Sequence, residues 1–311
     1  MTSHRSRLDR RAFLKGCTAL GLGSLAGEHA LAAAPASLAI ARYRQSPSAP
    51  DGVAEEARLL TRKAIEGLGG MARFVSKGDR VLVKPNIAWD RRPEQAADTN
   101  PDVVAALVEM CYLAGAKRVI VTDNSTHVAE RAFARSGIQA AAQKAGADAY
   151  YVDLRKFRKM AIKGKVLSEW EVYTEAVEVD KLINVPIVKH HGLCRATLGM
   201  KNLMGVIGGP RNRLHQDLDR SLPDLAAFLK PTLVVVDAVR VLTANGPTGG
   251  NLADVQRKDT VAASVDQVAA DAFAATLLGL RPQDVRYVAE AAARGLGKLD
   301  FESLAPRRVD V

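Results

Sequence analysis

Residues 80–86 read Arg-Val-Leu-Val-Lys-Pro-Asn, a short apolar run that stops abruptly at a lysine, a proline and an asparagine. Consecutive apolar residues closed by a proline predict a strand buried on both faces. The pattern recurs along the chain. Residues 118–122 (RVIVT) run into Asp123-Asn124-Ser125, residues 182–185 (LINV) into Pro186 and then Lys189-His190-His191, and residues 233–236 (LVVV) into Asp237. Shorter strands are expected at 37–42 and 149–153. Helical spacing fills the intervals, over 53–68, 101–114, about 128–145, about 197–206, 222–229 and 265–278. Pro101 falls in the first turn of its helix, with Asn100 as candidate cap. Buried strands alternating with helices predict an α/β fold, a mostly parallel sheet with helices on both faces. A basic two-stranded arm at about 159–173, turning near Gly164, enters as a β-hairpin insertion. No internal repeat or low-complexity linker divides the rest, so a single α/β domain is expected over 36–311.

The N-terminus reads differently. Arg5, Arg7, Arg10, Arg11 and Lys15 face the single acid Asp9, an uncharged stretch runs from Gly16 to Gly27, and Ala30-Leu31-Ala32 follows. A basic segment, a short apolar run and a small-residue end form an export signal. Arg10-Arg11-Ala12-Phe13-Leu14-Lys15 resembles its twin-arginine form, which implies the twin-arginine export machinery as a partner and a periplasmic or otherwise exported destination for a chain beginning after residue 32. The run is too short for a permanent membrane span, which needs about 20 residues.

Composition narrows the function classes. The 311 residues are 48% hydrophobic and 25% charged, which excludes a disordered, collagenous or multi-span membrane chain. Aromatic residues, at 5%, offer little stacking surface for sugars or single-stranded nucleic acid. Five of the 44 Lys and Arg and two of the 34 Asp and Glu lie in residues 1–32, which leaves a net charge of +7 beyond them. The surplus is local: Arg155, Lys156, Arg158, Lys159, Lys163 and Lys165 occur without an intervening acid. In an exported chain this reads as a solvated hairpin, and no nucleic-acid partner is expected. Beyond the signal only Cys111 and Cys194 remain, read as two buried thiols rather than a disulfide. No C-x-x-C occurs, so an iron–sulfur cluster is not expected. Gly67-Leu68-Gly69-Gly70-Met71-Ala72 matches a loose dinucleotide fingerprint but follows a helix and precedes a strand, the reverse of the required order, and reads as a helix terminus.

The chemistry is expected where the strands end. In open α/β sheets the ligand crevice lies beyond the carboxyl ends of parallel strands, where loops and helix N-termini converge. Lys84, Asn86, Lys201 and Asn202, with Asn245 and Gly246 of the loop Asn245-Gly246-Pro247-Thr248-Gly249-Gly250, are the candidate ligand-binding residues. Lysine ammonium groups attract phosphate or carboxylate, and glycines admit backbone amides close to an anion. Arg211 and Arg213 follow on the loop beginning Gly208-Gly209-Pro210. His191, His215 and Lys189 are the candidate catalytic residues for acid–base work. Asp123, His191, His215 and Asp237 form a candidate set for a divalent metal, since imidazole and carboxylate suit zinc, nickel or iron, although no H-x-H or H-x-x-x-H spacing fixes a geometry. His190 is a neighbour, because adjacent residues of an extended chain point opposite ways.

Residues 81–86 (VLVKPN), 184–192 (NVPIVKHHG), 199–205 (GMKNLMG) and 245–250 (NGPTGG) together resemble the family catalogued as domain of unknown function 362. The resemblance runs from about 81 to 280. It implies the fold and the location of the site more than an activity: some members are described as iron–sulfur proteins because they carry ferredoxin-type cysteine motifs, which this sequence lacks. Two function classes follow from the residues: an exported enzyme acting on a small anionic substrate, with metal assistance as a variant, and a non-catalytic periplasmic binding protein for a metal or small anion.

Overall fold

The computed structural model describes residues 35–44 and 53–311, and the export signal expected over residues 1–32 lies outside them. β1 (Leu38–Arg42) is followed by α1 (Val53–Gly67), in which Val53, Ala57, Leu60, Ala64 and Ile65 are all buried, as one face of a helix requires. Gly69 and Gly70 then turn the chain at positive φ, so the loose glycine fingerprint terminates a helix. β2 (Arg80–Pro85) leads to α2 (Pro101–Leu113), capped by the Asn100 side chain, which accepts the Asp102 amide. After β3 (Arg118–Val121), Gly137 at φ 72 splits the helix expected over 128–145 into α3 (Ala129–Arg135) and α4 (Ile138–Lys144). β4 is reduced to Asp148–Ala149.

The arm consists of β5 (Phe157–Ala161) paired antiparallel with β6 (Glu169–Tyr173). Its loop is pinned by Asp224, whose carboxylate accepts the amides of Lys165, Val166 and Leu167 at 2.8–2.9 Å. A single-turn α5 (Glu175–Glu178) returns the chain to β7 (Lys181–Val185), β8 (Ile187–His191) and β9 (Arg195–Thr197). Then come α6 (Gly199–Asn202), α7 (Leu218–Leu229), β10 (Leu233–Leu242), β11 (Val255–Ser264), α8 (Gln267–Thr276), α9 (Arg286–Ala293) and β12 (Arg307–Asp310).

The main sheet runs β12-β1-β11-β10-β7-β2-β3-β4, with β8 beside β10 and β9 beside β8. β4, β3, β2, β7 and β10 are mutually parallel, and β11 enters antiparallel between β10 and β1. The fold is therefore α/β with a mostly parallel mixed sheet. Alternate residues of each strand feed two apolar clusters: Leu82, Val234 and Val236 join α7, α8 and α9 on one face, while Val81, Val83, Leu233 and Val235 join α1, α2 and α4 on the other.

Two local expectations are corrected. The strand expected at 233–236 continues to Leu242, because Pro186 ends β7 and β8 takes its place along β10, with Ile187 opposite Asp237. Asp237 is thus inside a strand rather than at its end. The helix expected over 197–206 is only the four residues of α6 followed by a 3-10 turn at Leu203–Val206.

Candidate functional site

β2, β8 and the residue pair after β3 open onto one crevice of about 690 Å³. Lys84, Asn86, Asp123, Lys189, His191, Lys201, Asn202, His215 and Gly246 all line it. This is the shared edge that parallel strands create.

Its floor is a dense polar network. Lys84 Nζ, fully buried, donates to Pro85 O at 2.7 Å and Asn202 Oδ1 at 3.0 Å. It also lies 2.7 Å from Asp123 Oδ1, an ion-pair contact whose angle falls outside hydrogen-bond geometry. Asp123 Oδ2 accepts the Ile87 amide at 2.6 Å. Asn202 uses both ends of its amide: Oδ1 also accepts from Asn86 Nδ2, while Nδ2 donates to Asn184 Oδ1 and Lys84 O. Gly205 makes room for this, since a Cβ there would fall 1.7 Å from Asp123 Oδ1 and 2.5 Å from Lys84 Nζ. Burial pushes the Lys84 ammonium below its usual range, against the pull of Asp123.

Lys189 is held almost as tightly. Its Nζ donates to Asn86 Oδ1 at 3.0 Å and to Ala97 O, and stands 5.9 Å from the centre of the Trp89 ring. Behind it lies the buried Asp98, which accepts the Trp89 amide. Desolvation lowers the lysine and raises the carboxyl, and each moderates the other's shift.

The third corner has fewer internal partners. His191 Nδ1 accepts from the amides of Leu193 at 3.2 Å and Cys194 at 3.4 Å, so the neutral ring carries its proton on Nε2. Burial first, then the charge of Lys201, pushes His191 down to about 3. His215 stacks on it at 6.2 Å between ring centres and is also lowered, mainly by burial. Among the described residues the one hydrogen-bond partner of Lys201 Nζ is Met204 Sδ, at 3.6 Å, and the buried Thr197 Oγ1 has none. Arg211 closes this side, donating to the carbonyls of Asn124, Ser125 and Met204.

The mouth is formed by Gly246, Pro247 and Thr248. Arg91 holds that loop through Thr248 O and Gly249 O, and a Cβ on Gly246 would fall 2.0 Å from His190 O. His190 points the other way from His191 and accepts the Gly246 amide.

Several expected residues stand elsewhere. Asn245 turns from the crevice and donates to Asp254 Oδ2, while Arg213 is exposed and outside the lining. Asp237 accepts the Asn100 amide at 2.7 Å and the Val239 amide at 3.1 Å, so it anchors the start of α2. Burial raises it to about 6. Of the four-residue metal set, Asp123, His191 and His215 line the crevice, with Asp123 beside Lys84, while Asp237 lies outside it and is tied to backbone amides. The first amides of α6 do not face the crevice as an anion site either, because Asp271 Oδ1 and Oδ2 accept them from Gly199 and Met200. Cys111 and Cys194 are buried and free. Trp89 and Asn212 line the crevice without having been singled out by the sequence, since nothing in their spacing ties them to the strand ends.

All lining residues fall between positions 84 and 248, and the model of a family described as a domain of unknown function (DUF362) matches residues 81–276. The chain belongs to that family. It is 30% identical over 264 residues to a thylakoid-associated protein of Synechocystis sp., with 80% of each chain covered. The lactate racemase apoprotein from Thermoanaerobacterium thermosaccharolyticum aligns with a TM-score of 0.42 at 11% identity, covering 74% of this chain. This chain spans about half, 54%, of that structure's length.

Proposed function

We propose that this member of the family is an exported enzyme that binds a small carboxylate or phosphate in the crevice and moves a proton on it. The observation that carries the reading is the charge imbalance: of the four cations lining the crevice, Lys84 is met by Asp123 and Lys189 by Asp98, whereas Lys201 and Arg211 have no carboxylate partner among the described residues. Lys201 and Arg211 are half-buried, and an anion offsets the cost of desolvating cations that have no counter-charge. The parts divide the work. Lys84 shapes the floor, its protons already engaged. Lys201 and Thr197 offer free polar atoms to the ligand. His191, neutral with Nε2–H, is a hydrogen-bond donor toward a ligand oxygen and a poor base, which leaves His215 as the group that exchanges a proton.

The test uses Trp89 as reporter. In Trp170→Phe protein, titration with phosphate, sulfate, acetate and glycolate should change the fluorescence saturably for at least one anion, and Lys201→Gln should weaken that binding about 10- to 100-fold, the loss expected for one charge-assisted contact. No saturation at millimolar anion overturns the reading. Incorporation of solvent deuterium into bound glycolate would support proton transfer; tight binding without exchange or turnover would favour a binding protein.

Export rests on the paired Arg10 and Arg11 before the apolar run. Changing both to Lys should hold the precursor in the cytoplasm, and undiminished export of that variant sinks the twin-arginine assignment. Among the described residues no helix is long and apolar enough to cross a membrane.

A further inference from the structure

The three lysines of the crevice are not equivalent, and the difference is chemical. Lys84 has two oxygen acceptors and an ion-paired carboxylate, and Lys189 has two oxygen acceptors, an aromatic face and Asp98 behind it. Lys201 has, among the described residues, a thioether sulfur as its one hydrogen-bond partner and no ion pair. It projects from α6 into the crevice, next to an unpartnered buried hydroxyl, Thr197 Oγ1, and within the electrostatic reach of two histidines. Half-buried, this ammonium receives from the protein only a weak sulfur acceptor. The free amine, by contrast, loses little there, because it has no carboxylate to leave behind.

We propose that Lys201 captures a carbonyl carbon: its Nζ forms an imine with an aldehyde or ketone group carried by the anionic ligand. This rests on the anion-binding reading of the crevice and names the substrate class, an oxo acid or a phosphorylated aldehyde. The lone pair of the unprotonated Nζ adds to the carbonyl carbon, and the carbonyl π electrons move to oxygen, which takes up a proton. Nitrogen releases one proton to give the neutral carbinolamine, whose oxygen takes up a second proton and leaves as water while the nitrogen lone pair closes the C=N bond. Loss of the remaining N–H proton gives the neutral imine, so both amine protons are balanced by the two carried off in the water and no oxidant or reductant is consumed. Two groups of the chain assist at the oxygen. His191 Nε2–H is oriented as a donor by the two amides on Nδ1, and His215 beside it can deliver and recover the proton. The positive field of Lys84, Lys189 and Arg211 favours the ligand's anionic end in the crevice. Burial, reinforced by Arg211, also pushes Lys201 below the usual lysine range, which raises the fraction of free amine near neutrality.

The experiment treats the full mature chain with glyoxylate, pyruvate, phenylpyruvate or pyridoxal phosphate, each with sodium cyanoborohydride, and maps lysine adducts by peptide mass spectrometry. The expected result is a reduced adduct concentrated on Lys201 with at least one probe, absent from Lys201→Arg protein and from urea-unfolded protein. Lys201→Met, checked for a native melting transition, should lose it as well. Adducts spread over exposed lysines, adducts on Lys189, or no adduct with any of the four probes overturn the proposal. Glycolate, which lacks the carbonyl, separates the two failures. If it binds while no imine is trapped, Lys201 is a point charge and the anion site stands; if glycolate, phosphate and the four probes all fail to bind, the anion site falls with it.

Discussion

Six Lys and Arg side chains crowd residues 155–165 of the arm, and four line the crevice, but the two groups are in opposite electrostatic conditions. In the arm the charges are solvated or neutralised. Arg155 pairs with Asp153, Lys156 with Glu175, Lys159 with Glu169 and Lys165 with Glu290, while Arg158 donates to the carbonyls of Arg155 and Phe157. In the crevice, among the described residues, Lys201 pairs with no carboxylate and Arg211 donates to carbonyls alone. A run of basic residues in sequence therefore says little about binding, because acids from β6 and α5 come back to meet it. Four cations far apart in sequence say more, because the sheet gathers them where water is scarce.

The strongest way to break this comparison is at Gly205. An alanine Cβ there would overlap both Asp123 Oδ1 and Lys84 Nζ, two side chains fixed by other hydrogen bonds and unable to swing into solvent. Gly205→Ala should separate the buried pair and destabilise the fold by about 3–5 kcal/mol, the range for breaking one buried ion pair. Equilibrium unfolding in urea measures it. A loss under about 1 kcal/mol would mean that the network is plastic and that the floor of the crevice is not the rigid platform described.

How much of this was legible in the sequence depends on distance along the chain. Buried parallel strands announce themselves as apolar runs, so β2, β3, β7 and the start of β10 were readable, and the residues that follow the first three do line the crevice. β11 was not read at all: its first half, Gln256-Arg257-Lys258-Asp259, is polar and its second half is rich in alanine, yet it pairs with both β1 and β10. Asp237 misled because an apolar run ends at Val236 while the strand does not. The partners that give each lysine its character are likewise invisible. No spacing rule connects Asn202 with Lys84, 118 positions away, or Asp271 with the start of α6, and the crowding by Asp123 and Lys84 that requires glycine at 205 exists only once the chain has folded.

A smaller effect sharpens the comparison through pH. His191 is pushed to about 3 from an ordinary value of 6.5, so the folded chain binds fewer protons than the unfolded chain in that window. Its contribution to stability is therefore fully present above about pH 6.5 and is lost as pH falls toward 3. Nitrogen-detected NMR of the imidazole should show one neutral ring, protonated at Nε2, across pH 5 to 8. A titration midpoint near 6.5 would show that Nδ1 is not committed to the Leu193 and Cys194 amides, and would return His191 to the role of base.

The smallest expected effect lies in the arm. Lys159 and its partner Glu169 are both more than half exposed, and an ion pair of that kind is worth about 0–1 kcal/mol because water and salt screen it. Lys159→Ala should change stability by no more than about 0.5 kcal/mol and leave anion binding in the crevice unaltered at 0.15 M salt, where screening sets in over about 8 Å. Repeating the anion titration at about 0.01 M salt, where the screening length grows to about 30 Å, tests whether the arm contributes at long range. A tenfold weakening in the variant only at low salt would make the arm a steering surface for the ligand. The same weakening at 0.15 M would mean that the arm and the crevice act as one site, and the distinction between neutralised and unpartnered cations would no longer explain where the anion goes.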